Sequence, residues 1–285
     1  MKKVVGLGEV LWDLLPAGKA LGGAPCNFAY HASQAPGCEG WAVSAVGDDA
    51  LGREILDLMK EKNINCIIPI VKNATGTVKV TLDEKGIPEY EICEGVAWDN
   101  IPFTPEMEQL AKDCSAVCFG SLAQRNTESY KTIHKFLAAV PEDALKVFDI
   151  NLRQHFYGKD VIAESLRMCN ILKINDEEVG ILKDLFGKQD MSDEQLLREI
   201  KREYNLKMVV ETLGAKGSYI YYPGGISWVE TPKVEVADTV GAGDSFTGSF
   251  IGALLEGKSI EEAHQRAVAV SAFVCTQHGA MPEYK

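Results

Sequence analysis

Positive charge is scarce in this sequence: 29 Lys and Arg stand against 41 Asp and Glu, for a net charge of −12 at neutral pH. Nucleic acids and anionic membranes are held by basic surfaces, so neither is expected as the main partner. A phosphorylated small molecule is not excluded, because one local positive site suffices in an acidic protein. Long hydrophobic runs are missing too. The longest uncharged stretch, Leu21 to Cys38, is broken by Gly, Pro, Asn, Gln and Ser and is no membrane span. The opening "MKKVVGLGEVLWD" is basic and then apolar, but Glu9 and Asp13 interrupt it before a signal-peptide core forms. The eight cysteines show no paired spacing; Cys114 and Cys118 are four apart, with no second pair or nearby histidine to complete a zinc site. Reduced core thiols in a cytoplasmic protein are the expectation.

Two nucleotide motifs are also absent. No G-x-x-x-x-G-K-[ST] occurs, which excludes a Walker-type phosphate loop, and "GLGEVL" at Gly6–Leu11 lacks the third glycine of a dinucleotide fingerprint. An oxidoreductase is therefore remote.

What is present is ordinary globular material, 46% apolar and 25% charged over 285 residues. Length alone allows one large α/β domain or two small ones. No linker, repeat or low-complexity tract divides the chain, and a single domain over 1–285 is expected. Short apolar runs at Val4–Leu7, Ala116–Phe119, Lys146–Ile150, Ile171–Ile174 and Met208–Leu213 read as buried strands. Helical patterns lie between them at Pro105–Lys112, Tyr130–Ala139, Val161–Cys169 and Asp193–Tyr204, which predicts βαβ crossovers and a mostly parallel sheet covered on both faces. Near the end, Ser245–Glu256 carries an apolar helical face stopped by Gly257, and Ser259 with Glu262 forms a capping box opening a last helix to about Thr276. Between Ile64 and Trp98, "TGTVKVTLDEKGIPEYEIC" alternates around an Asp-Glu-Lys-Gly turn, the pattern of a hairpin with one wet face. It is expected to form a small inserted β-sheet, a lid.

Ligands of open parallel sheets bind beyond the carboxyl ends of the strands. Residues just after each strand are thus the candidates: Asp13 with Gly22, Gly23 and Asn27; Asp149, Asn151 and Arg153; Asn175 and Glu178; Thr212, Gly214 and Gly217. In "DTVGAGDSF", Gly241-Ala242-Gly243 leads into a helix, whose free N–H groups and dipole favour an anion. Asp244 beside them is a poor anion ligand but a good proton acceptor. A hydroxyl against Asp244 and a phosphoryl group against the amides would give phosphoryl transfer. The bland alternative, a glycine-rich turn with Asp244 opening a helix, is the commoner fate of a lone G-x-G. Asp238 and Thr239 in the same stretch weigh against it.

"DTVGAGDSFTGSF" resembles the C-terminal signature of the PfkB (ribokinase-like) carbohydrate kinases, and "LGGAPCNFAYHAS" with "AVGDDALGRE" resembles their N-terminal one. The likeness runs from "GLGE" to "CTQHGAMP". It implies a three-layer α/β sandwich with a mostly parallel central sheet and a small β lid, ATP as donor and Mg2+ as counter-ion. By motif it makes Asp244 the general base, Gly241–Gly243 the anion hole, and Arg153 a contact of the transferring phosphoryl group. Asp13, Gly23 and Asn27 would face the sugar, and Gly22 belongs to the same turn. Asn175 and Glu178 match an N-x-x-E motif that organises magnesium and phosphates through water. Thr212, Gly214 and Gly217 would line the nucleotide, and a potassium-like ion would sit near Asp238 and Val240.

Within the family, "GEVLWDLLP", "GGAPCNFA" and "CTQHGAMP" are similar to fructokinases, whereas ribokinases favour G-G-K-G-A-N in the second segment. Trp12 departs from the fructokinase pattern, and the lid is short. The expected reaction is ATP-dependent phosphorylation of a sugar, fructose foremost. Another ketose, ribose or a nucleoside stays open, and a non-catalytic sugar-binding regulator is remote because a pure binder has no use for Asp244. Lids of relatives often pair between subunits. Val78, Val80 and Leu82 alternate along one face, so a homodimer through the lid is expected.

Overall fold

A computed structural model describes residues 1–15, 18–82 and 88–284. In chain order, β1 (Lys2–Leu7) is followed by a hairpin of β2 (Leu11–Leu15) and β3 (Gly18–Gly22). Next come α1 (Ala24–Ser33), β4 (Cys38–Val43), β5 (Val46–Gly47), α2 (Ala50–Glu61), β6 (Asn65–Ile67), β7 (Ile70–Val71), β8 (Gly76–Leu82) and β9 (Pro88–Ile92). The middle of the chain alternates α3 (Pro105–Asp113), β10 (Cys114–Phe119), α4 (Thr127–Ala139), β11 (Leu145–Asp149), α5 (Lys159–Met168) and β12 (Ile171–Asn175). Then follow α6 (Asp176–Phe186), α7 (Asp193–Glu203), β13 (Met208–Thr212), β14 (Gly217–Tyr222), β15 (Gly225–Glu230), α8 (Ala242–Glu256) and α9 (Ile260–Cys275).

The large sheet has the order β15-β14-β13-β12-β11-β10-β1-β4-β6. From β13 to β6 neighbouring strands run parallel, while β14 and β15 are antiparallel additions at one edge. Consecutive strand residues point to opposite faces, and both faces are dry. Val5, Phe119, Phe148 and Leu172 pack with Met107, Phe136, Leu166 and Leu196 of α3, α4, α5 and α7. Val4, Cys118, Val147 and Ile171 pack instead with Phe28 of α1, Phe250 of α8 and Ala267 of α9. That is why the strands read as continuous apolar runs, and it gives the three layers expected. The strand order reverses at β1, whose neighbours are β4 and β10. A crevice is expected there, at the carboxyl ends.

The second sheet has the order β3-β2-β8-β9. The sheet is not drawn from 64–98 alone: β2 and β3 come from Leu11–Gly22, with β2 parallel to β8 and antiparallel to β3. Within 64–98, β6 extends the large sheet and β7 pairs with β5 (Val46–Gly47), so only β8 and β9 belong to the small one. The short lid is short because half of it lies elsewhere in the sequence. The expected Asp-Glu-Lys-Gly turn, and the side chains of Val80 and Leu82, lie outside the described residues; Val78 is buried.

The last two helices follow their signals. Gly257 ends α8 at φ 91°, and Ser259 caps α9 with Glu262 bonding back to it. α8 starts at Ala242 rather than Ser245, so Asp244 lies within its first turn. Among the described residues no helix is long and apolar enough to cross a membrane.

Candidate active site

The carboxyl ends of the parallel strands open into one cleft of about 1080 Å3, roofed on one side by the small sheet. Asp13 of β2 and Gly22 of β3 line it, with Gly23 and Asn27 at the start of α1. Arg153 enters from the loop after β11, Asn175 and Glu178 from the β12–α6 junction, and Thr212, Gly214 and Gly217 from the β13–β14 turn. Val240, Gly241, Ala242, Gly243 and Asp244 complete it. Asp238 is the one candidate that is not part of this wall.

The turn before α8 is built by its glycines. Gly241 caps the helix in the left-handed region, φ 77°, and a Cβ there would stand 2.6 Å from that of Ala280, so a side chain is excluded twice over. The Ala242 N–H turns back to the Thr239 carbonyl at 3.2 Å, while those of Gly243 and Asp244 have no backbone partner and lie at the positive end of the helix dipole. Asp238 braces this turn. Its Oδ1 accepts the Val240 N–H at 3.0 Å and its Oδ2 the Gly279 N–H at 3.2 Å. With both oxygens engaged, that side chain is taken up by the turn, and a monovalent ion here would rest on main-chain carbonyls.

Asp244 Oδ2 accepts a hydrogen bond from Asn27 Nδ2 at 2.8 Å. Burial and the neighbouring Asp149 push its carboxyl up to about 6, against the Asn27 bond, Lys173 and Arg153, which favour the charged form. A carboxylate tuned that way suits a proton acceptor working near neutrality.

Lys173 is the cation that the sequence reading passed over. It lies 3.3 Å from Asp149 Oδ1, and its Nζ would be 3.2 Å from a Cβ on Gly243, directly against the anion-binding turn. Asp149, Glu178 and Asp244 hold its ammonium charged, above the usual lysine range, despite burial. A lone lysine inside "ILKIN" was the available signal, since a charge in a buried strand needs a reason. Arg153 is exposed and sits between Asn151 at φ 44° and Gln154 at φ 49°. Left-handed non-glycine residues cost about 1 kcal/mol each and gather at functional sites.

Asn175 and Glu178 form a capping box on α6: Asn175 Oδ1 accepts the Glu178 N–H, and Glu178 Oε2 accepts the Asn175 N–H. Glu178 Oε1 accepts the Leu152 N–H at 2.9 Å. Each oxygen of its carboxylate thus accepts one backbone N–H, which fixes the side chain at the edge of the cleft. Asp176 and Glu177 line the cleft, and Asp149 Oδ1, buried there, has the Lys173 ammonium 3.3 Å away as its partner. These hard oxygen donors fit magnesium, but among the described residues no cluster of three or more metal-ligating side chains exists. Magnesium that keeps its waters and arrives with phosphates fits such a site.

Comparison with known proteins agrees with this geometry. The chain matches the pfkB family carbohydrate kinase description over residues 17–284. It is 27% identical to the fructokinase of Vibrio alginolyticus, over 99% of this chain and 95% of that protein. It is 26% identical to the ATP-dependent 6-phosphofructokinase of Thermoanaerobacterium thermosaccharolyticum, over 98% of this chain and 89% of the other. Among solved structures, the fructokinase of Vibrio cholerae O395 bound to fructose, ADP and calcium superposes with a TM-score of 0.82 at 25% identity, covering 99% of this chain and 95% of that one. The fold is ribokinase-like, and the chain belongs to the pfkB family of carbohydrate kinases.

Proposed function

We propose that this sugar kinase transfers the γ-phosphoryl group of ATP to a hydroxyl of fructose. The observation that carries the chemistry is the placement of Asp244 in the first turn of α8, beside free amides and held by Asn27. The sugar hydroxyl lies against Asp244, which takes its proton as the oxygen attacks phosphorus. The amides of the Gly241–Gly243 turn, with Lys173 behind them, stabilise charge on the phosphoryl oxygens, and Arg153 meets the group from the open side. Magnesium, when bound with the nucleotide, neutralises phosphate charge; Asn175 and Glu178 order that side of the cleft. The base is received between Thr212, Gly214 and Gly217 and the apolar wall of Val234, Val236 and Ala272.

The sugar end supports an uncharged substrate. Glu9, Asp13, Gly22 and Asn27 form that wall with two carboxylates, and Arg153, the cation that acts on Glu9, is the one already assigned to the transferring phosphoryl group. A sugar phosphate would meet carboxylates where it needs cations, which argues against a phosphofructokinase-like choice. Fructose over ribose or a nucleoside rests on the fructokinase-like motifs and on the relatives' names. A sugar panel with coupled ADP detection tests this: turnover greatest on fructose supports it, and greater turnover on ribose, adenosine or fructose 6-phosphate overturns the substrate while sparing the kinase.

A further inference from the structure

Glu9 stands two residues past β1, at the point where the order of the large sheet reverses. It is 4% exposed, yet it lines the cleft with Asp13, Asn27 and Asp244. The nearby backbone N–H groups of Glu9 itself and of Ala24, the first residue of α1, favour its charged form but do not outweigh burial. Oε2 is left buried with no hydrogen-bond partner. A side void of about 10 Å3, room for a single water, joins it to Asp149, Asn151 and Cys118. The position is also tightly held: Gly23 turns over it at φ 122°, and a Cβ there would fall 2.5 Å from the Glu9 carbonyl oxygen. Closeness to the N-terminus of α1 accounts for the backbone influence on the carboxyl but not for an orphaned buried oxygen.

The charged and titratable groups around Glu9 are Asp244 from α8, Arg153 and Asp149 from the end of β11 and its loop, Asp13 from β2 and Cys118 from β10. Arg153 acts on both Glu9 and Asp244. Lys173 favours ionised Asp244 as well, but its ammonium is shared among Asp149, Glu178 and Asp244; Arg153 is left as the cation acting on Glu9, and it must also meet an incoming triphosphate. We propose that Glu9 is a positioning residue that works in its neutral form, keeping the single proton of the Glu9–Asp244 pair while Asp244 receives that of the attacking hydroxyl.

Burial and the Asp244 charge push the Glu9 carboxyl up to about 7, which brings its neutral form within reach near neutrality. In the step itself the sugar O–H bond breaks, its proton passes to Asp244, the O–P bond forms, and the electrons of the breaking P–O bond leave on ADP. The Glu9 proton does not move. Neutral Glu9 leaves Arg153 free to face the phosphoryl group. Ionised Glu9 draws Arg153 back and adds a negative charge beside the nucleotide.

The inference rests on Asp244 as the base, and its test separates the two. KM for ATP is measured at saturating sugar from pH about 6 to about 9 in wild type and Glu9→Gln. Wild-type KM is expected to climb about tenfold across the alkaline half of that range, and the KM of the variant, neutral throughout, to stay level within about threefold. A parallel rise in both, or none in wild type, overturns the proposal. Should Glu9→Gln fail to fold, NMR of the wild-type protein carrying carbon-labelled glutamate carboxyls decides instead. One glutamate must titrate near neutrality and shift down in Asp244→Asn; a set of glutamates all titrating in the ordinary acidic range overturns it. An active Asp244→Asn enzyme would remove the base itself, a different failure with a different readout.

Discussion

Asn27 of α1 and Asp244 of α8 are 217 residues apart in the chain and 2.8 Å apart in the cleft, the amide of one donating to the carboxylate of the other. The bond leaves Asp244 Oδ1 as the oxygen free to meet a hydroxyl. It also holds the Asp244 carboxylate from a different helix, so the two signature segments meet at one atom pair.

Asp244→Asn is therefore expected to lower turnover by two to four powers of ten, roughly, with sugar affinity little changed. Calorimetric sugar binding beside a turnover assay checks it, and near-wild-type turnover would show that another group is the base.

The wild-type rate should fall as pH drops through about 6, because Asp244 is protonated there. Lys173 favours its ionised form, so Lys173→Met should move this acid limb upward by roughly one pH unit. The same change strands Asp149 in a buried setting, at about 3–5 kcal/mol of stability. An acid limb unmoved in a folded variant would refute the electrostatic link.

Asp13→Ala should raise the sugar KM sharply and lower turnover, since a pocket that hydrogen-bonds hydroxyls rejects unmatched partners by large factors. Steady-state kinetics on fructose decide it; a variant with unchanged KM would take Asp13 out of the sugar site.

Two histidines are buried as neutral rings. His31 lies against the Ala280 carbonyl and the Tyr284 hydroxyl, and His264 lies between the Ser218 and Ser227 hydroxyls. Burial lowers each to about 4 from 6.5. Unfolded histidine then binds the proton more readily, so their contribution is complete above pH 6.5 and is lost as pH falls toward about 4. The slope is on the order of 1 kcal/mol per pH unit for each ring. Thermal melts across this window test it, and a His264→Gln variant that melts with an unchanged pH slope would contradict it.

A homodimer joined through the small sheet is the expected assembly, because its outer strands β3 and β9 leave backbone edges to be covered. Light scattering at working concentration decides the matter; a fully active monomer would rule the dimer out.

Much of this was legible in the sequence because it is local. Glycine at 241 and Asp at 244 announce a turn that needs φ above zero and a helix that opens on a carboxylate. The apolar runs announce strands dry on both faces. Lys173 and Glu9 were not legible as site residues, because each is a single charge in or beside an apolar strand. Only the strand order brings them to Gly243 and Asp244. The lid was half read for the same reason. Its alternating hairpin is a local pattern, whereas the pairing of β2 with β8 joins segments more than 60 residues apart through a parallel contact that no local pattern records.

Because Asp13, the residue proposed to hold the sugar, sits on β2, an inner strand of the small sheet, that proposed ligand and the cover belong to one sheet. Any displacement of that sheet carries Asp13 with it. A sugar lacking the hydroxyl that Asp13 grips therefore loses more than a bond: it loses its hold on the cover, and water gains the access that the acceptor should have had. For such analogues, futile ATP hydrolysis is the natural companion of weak binding.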